Sequence, residues 1–71
     1  MTTNQKKKAI CKITEGAYIF DEIESYKVTK VYKSGVQYMV EWKNWAGNFY
    51  EYKFVTYEEL INDDMWRLII V

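Results

Sequence analysis

The 71-residue sequence has no histidine, no proline and a single cysteine, Cys11. Without histidine the chain lacks the commonest general base and the commonest metal ligand. One cysteine excludes an internal disulfide and any cysteine-based zinc site. Cys11 sits in an apolar alternation and reads as a half-buried structural thiol. A glycine-rich phosphate loop, paired catalytic carboxylates and a metal-binding set are all missing, so a non-enzyme without cofactors is expected. No apolar run is long enough for a membrane-spanning helix or for a signal-peptide core. The expectation is a soluble chain in a reducing compartment, with no membrane partner.

Charge of either sign is also not in excess, since ten Lys and Arg balance ten Asp and Glu. The chain as a whole is therefore not a strongly basic nucleic-acid binder. The charge is segregated: Lys6, Lys7 and Lys8 lie near the front, and Glu58, Glu59, Asp63 and Asp64 near the end. The polar stretch 1–8 reads as a disordered basic arm, and residues 9–71 as one small domain.

Aromatic residues are abundant: three Trp, seven Tyr and three Phe. They concentrate in residues 36–55, V-Q-Y-M-V-E-W-K-N-W-A-G-N-F-Y-E-Y-K-F-V. Val36, Tyr38, Val40 and Trp42 alternate with Gln37, Met39, Glu41 and Lys43, the period of a strand. Asn44, Ala46, Gly47 and Asn48 supply turn chemistry. A second strand follows from Phe49 to Val55. On this pattern Trp42 continues the core-facing side, while Trp45 sits in a polar turn where packing gives it less reason to be. Upstream, residues 9–20 predict a first strand bent near Gly16. Residues 26–33 predict a second, with Val28 and Val31 on opposite faces, and Ser34-Gly35 a hairpin turn. Thr56 with Glu59 three residues on is a capping box that opens a short helix, closed at Asn62-Asp63-Asp64. Leu68 to Val71 leans toward a closing strand. Four to five bent antiparallel strands with one short helix predict a mainly β fold, a small SH3-like barrel.

The ordered series Tyr26-Lys27-Val28-Thr29-Lys30-Val31, then Tyr38-Met39-Val40-Glu41-Trp42-Lys43-Asn44-Trp45, then Asn48-Phe49-Tyr50-Glu51, then the helical turn, resembles the chromodomains and chromo barrels of the Royal superfamily. Asn44 stands where that family has Gly, and its Trp-Glu-Pro is absent. The resemblance implies an aromatic cage for methylated lysine, of the histone-tail kind, at Tyr26, Trp42, Trp45 and Phe49. A methylammonium keeps its charge, loses hydration and is drawn to ring faces. A carboxylate from Glu24, Glu41 or Glu51 would help hold a lower methylation state. The same resemblance implies a nuclear location; otherwise a cytoplasmic one is expected.

Two other readings use the same surface. A Tudor-knot-like or SH3-like nucleic-acid binder would stack bases on the aromatics and place Lys27, Lys30, Lys33 and Lys43 on phosphates. A small protein-interaction or inhibitor domain, of phage type, would use the aromatic patch as its interface. The initial Met and short frame suit a small whole protein.

Overall fold

The computed structural model describes residues 2–67, and its long central hairpin follows the alternation in the sequence. Strands β1 (Tyr18–Phe20), β2 (Ser25–Val31), β3 (Gly35–Asn44) and β4 (Gly47–Thr56) lie between helices α1 (Thr3–Ile10) and α2 (Tyr57–Asn62). The strands form one antiparallel sheet in the order β1-β2-β3-β4. The mainly β class, the four antiparallel strands and the short helix after them are as the sequence predicts. The sheet is open, however, where a closed barrel is expected. Among the described residues β4 pairs with β3 alone.

The core explains why closure is not needed. Ile19, Val28, Val36, Tyr38 and Val55 point from one face of the sheet onto Ile13, Leu60 and Trp66, with Ala9 and Ile10 packed alongside. Helices and the C-terminal segment thus bury the apolar face that a barrel would have buried by curling on itself. An isolated antiparallel bridge from Phe20 to Arg67 brings that segment beside β1. The closing strand expected over Leu68 to Val71 lies outside the described residues.

Several local predictions are corrected. Thr3–Ile10 is a helix, where a disordered arm is expected over 1–8; Met1 lies outside the described residues. Thr2 caps it and exchanges hydrogen bonds with Gln5, a capping box that holds two otherwise orphaned amides. Lys7 and Lys8 in the last turn suit the negative end of its dipole. Cys11 is the C-cap of this helix and is exposed, not half-buried. The helix replaces the first part of the predicted strand 9–20, leaving only Tyr18–Phe20 extended. In β2 the register shifts between Val28 and Lys30, so Thr29 is an extra residue. Val28 then faces Tyr38 and Val31 faces Val36. The bulge puts both valines on one face, where strict alternation predicts opposite faces, with Val28 in the core and Val31 exposed at its rim.

Candidate binding surface on the β3–β4 ribbon

The last β2–β3 pair toward the turn is Lys27 with Met39, while β3 and β4 continue to Asn44 and Gly47. The distal hairpin is thus a two-stranded ribbon that runs on past the core. The molecule measures 43 × 23 × 19 Å, and every residue from 41 to 50 is exposed. The turn at its tip is built by two local devices. The Asn44 side-chain oxygen accepts from the Ala46 amide at 2.8 Å. Gly47 adopts φ +129°, which glycine tolerates and other residues rarely do.

Register decides what shares a face. Trp42 lies directly opposite Phe49, and Val40 opposite Glu51. Paired residues project to the same side, so Trp42, Phe49 and Glu51 form one patch. They continue the core-facing side of the sheet, as the alternation predicts, but beyond the end of the core. Trp42 is therefore 46% exposed and Phe49 47%. Trp45 forms part of the two-residue connection and is 98% exposed.

The fourth predicted cage residue, Tyr26, is half-buried and packed against the core. Tyr26 packs against Tyr38 with ring centroids 5.1 Å apart and against Trp66 at 5.9 Å. Its hydroxyl donates to Asp21 Oδ2 at 2.7 Å. That hydrogen bond, with burial and the charges of Asp21 and Glu24, pushes the Tyr26 pKa up to about 12. Burial also pushes the Tyr38 hydroxyl up, helped by the charges of Asp21, Glu59 and Glu51. Asp21 itself is a loop organiser. Its Oδ1 accepts from the amides of Ile23 and Glu24, both at 2.7 Å. Burial opposes its charge, but hydrogen bonds from Glu24, Tyr26 and Ile23 outweigh it and hold the carboxyl below its usual value.

The predicted residues accordingly fall into groups. Tyr26, Glu24, Glu41 and Lys27 line one open cleft of about 320 Å³, together with Tyr18 and Met39. Trp42 and Phe49 do not line that cleft; of the three candidate carboxylates only Glu51 shares their face. Lys27, Lys30 and Lys43 pair with Met39, Gln37 and Asn48, on the opposite side of the sheet. Lys33 is exposed in the β2–β3 connection. That opposite side also carries Tyr50, Tyr52 and Phe54, with Tyr32 edge-on to Phe54 at 5.8 Å. Among the described residues no group of three or more acidic or cysteine side chains is placed to hold a metal, and no helix is long and apolar enough to cross a membrane.

Two residues that hold the site in place are not flagged by the sequence reading. Trp66, 7% exposed, is the tryptophan that fills the core and so frees the other two. Asp21 reads only as part of a polar connection, although an Asp two residues before an exposed loop apex is a recognisable turn signal. No protein-family model, curated protein or solved structure matches this chain.

Proposed function

We propose that the chain is a non-catalytic binding module that engages a lysine-bearing protein segment through the ribbon face of Trp42 and Phe49, with Trp45 at its tip. One observation carries this reading: three large aromatics stand exposed on a ribbon that lies beyond the core, at 46%, 47% and 98%. Folding does not require them there, since Trp66 already packs against Tyr26 and Tyr38. Aromatic side chains so placed cost little entropy to bury and dominate contact energy in protein interfaces. Methylated lysine is the ligand that the chromo resemblance implies, and each ring face it meets is worth about 0.5–2 kcal/mol. On this reading Trp42 and Phe49 are the two walls, and Tyr26, tied to Asp21, supports the loop beneath. A partner of this chemistry would place the protein on chromatin.

Nucleic acid is the competing ligand, since Lys27, Lys30 and Lys43 share a face with Tyr50, Tyr52 and Phe54. Glu41 lies among them and the net charge is zero, which weakens any phosphate field. The test is a titration followed by tryptophan fluorescence and by the NMR signals of the Trp, Tyr and Phe rings, with a trimethyl-lysine peptide, its unmodified twin and a short single-stranded RNA. Saturable shifts at Trp42 and Trp45 with the methylated peptide, lost in Trp42→Ala, are expected. Shifts confined to Tyr52 and Phe54 on adding RNA would replace this reading with the nucleic-acid one. Silence toward every ligand would refute both.

A further inference from the structure

Among the described residues strand β4 is a free edge, paired with β3 on one side alone. Residues 47–54 are all exposed, and the β3–β4 register runs from Gly35↔Thr56 to Asn44↔Gly47 without a bulge. Edge strands are ordinarily protected by proline, bulges or isolated charges. Here there is no proline in the chain, and the two charges on the strand, Glu51 and Lys53, are of opposite sign.

The direction of the free backbone groups follows from two contacts. The Tyr57 amide donates to Ser34 O at 3.1 Å, continuing the β3–β4 ladder, whereas the Thr56 amide turns away to Glu59 Oε2 at 3.4 Å. Hydrogen-bonded and open positions alternate along an antiparallel strand. Val55, Lys53 and Glu51 therefore bond inward to β3, and Phe54, Tyr52 and Tyr50 present their amides and carbonyls to the open edge.

We infer that β4 pairs with β4 of a second copy of this chain, antiparallel, on a two-fold axis through Tyr52. That register sets Tyr52 against itself and Tyr50 against Phe54 of the other copy, all with outward-facing backbone groups. It also sets Glu51 of each copy directly across from Lys53 of the other, so the charges of the two strands are mutually complementary. Opposite charges in such pairs are favourable and like charges unfavourable. Moving the axis to Tyr50 places Glu51 against Phe49, moving it to Phe54 places Lys53 against Val55, and moving it to Glu51 or Lys53 sets that residue against its own charge. An axis between residues sets outward groups against inward ones. Only the Tyr52 register satisfies backbone and charge together. The seam runs along the backbone edge of β4 and leaves out Trp42 and Trp45, although it sets Phe49 across from Val55 of the other copy; the inference goes beyond the binding reading and does not depend on it.

Sedimentation velocity on the full chain, over a concentration series into the millimolar range, tests the pairing. A mass moving from one chain to two is expected for the unaltered protein. Lys53→Glu sets Glu51 against a glutamate and should hold the chain monomeric. The charge swap Glu51→Lys with Lys53→Glu restores the reciprocal pairs and should restore the dimer, which also shows that the single variant's loss is not misfolding. In a Cys11→Ser background, Tyr52→Cys should form a disulfide-linked dimer on oxidation, since directly facing Cα atoms lie within disulfide reach, and Tyr50→Cys should not. A monomer at every concentration overturns the inference. So does a dimer that Lys53→Glu leaves intact, or one in which Tyr50→Cys cross-links as readily as Tyr52→Cys.

Discussion

The Lys6 ammonium donates to the carbonyl oxygen of Asp63 at 3.0 Å, across 57 positions of sequence. Asp63 is the C-cap of α2, a helix with no basic residue in its last turn. Lys6 supplies from another helix the positive charge that this end lacks, joining the Trp66 amide on the same carbonyl oxygen and complementing the negative end of the helix dipole. Its stem is buried, leaving the side chain 5% exposed. Lys6→Met keeps the stem and removes the donor, and should cost about 1–3 kcal/mol, the worth of a charged hydrogen bond. Lys6→Ala loses the packing as well and should cost more. Urea unfolding of both variants separates the two contributions, and equal midpoints for Met and wild type would show the contact to be idle.

Tyr26 and Asp21 make the stability of the β1–β2 corner depend on pH at both ends of the scale. Tyr26 has its pKa raised from 10.0 to about 12, so the folded state holds this proton more tightly than the unfolded chain. The associated stability is full below pH 10 and is lost as pH rises toward 12. Asp21 is lowered from 3.8, so its contribution is full above that value and is lost as pH falls through the depressed folded pKa. Asp21→Asn should flatten the acid limb and bring the Tyr26 titration back toward 10. Ultraviolet titration of tyrosinate, with urea midpoints across pH, reads both effects.

The tryptophans should divide sharply by role. Trp66 packs edge-on to Tyr38 at 5.5 Å inside the core, and Trp66→Ala should destabilise by about 3–5 kcal/mol. Trp45, almost wholly exposed at the turn, should tolerate alanine within about 0.5 kcal/mol. Thermal melts of the two variants give the comparison. A large loss at Trp45 would mean that the ribbon tip serves folding, and would weaken its assignment to binding.

Legibility in the sequence follows how local each determinant is. The Thr56–Glu59 capping box spans four residues and forms as read, with Glu59 N to Thr56 Oγ1 at 3.1 Å. The hairpin around Asn44 and Gly47 is equally local. The Thr2–Gln5 box is the same kind of signal, yet three following lysines make the segment look like a tail. What escapes is decided at long range. Nothing near Lys6 announces Asp63, and nothing near Trp66 announces Tyr26 and Tyr38. Those two contacts determine that the core closes against helices and the C-terminal segment, leaving the sheet open. They likewise determine that Tyr26 packs inward while Trp42 and Phe49 stand outside. The Thr29 bulge escapes because a period-two pattern cannot display an extra residue whose hydroxyl donates to the Gln37 carbonyl at 3.2 Å.

Two glycines should respond to alanine through different physics. Gly35 is buried where β3 begins, and a Cβ there would run into the Val55 carbonyl oxygen, with the Phe54 ring and the Thr56 Cα each 2.8 Å away. Two of those three obstacles are backbone, so the strand crossing itself would have to shift, at about 1–3 kcal/mol. Phe54→Ala clears only the ring, and the double variant should remain destabilised. Gly47 has open space around the Cβ position but φ +129°. Its alanine variant pays in backbone strain, again about 1–3 kcal/mol, and confines that strain to the turn. Amide exchange distinguishes the cases. Gly35→Ala should raise exchange at Val36 and Val55 in the core, whereas Gly47→Ala should raise it only in the distal ribbon. Uniform exchange changes in both would contradict the separation of ribbon from core on which the binding surface rests.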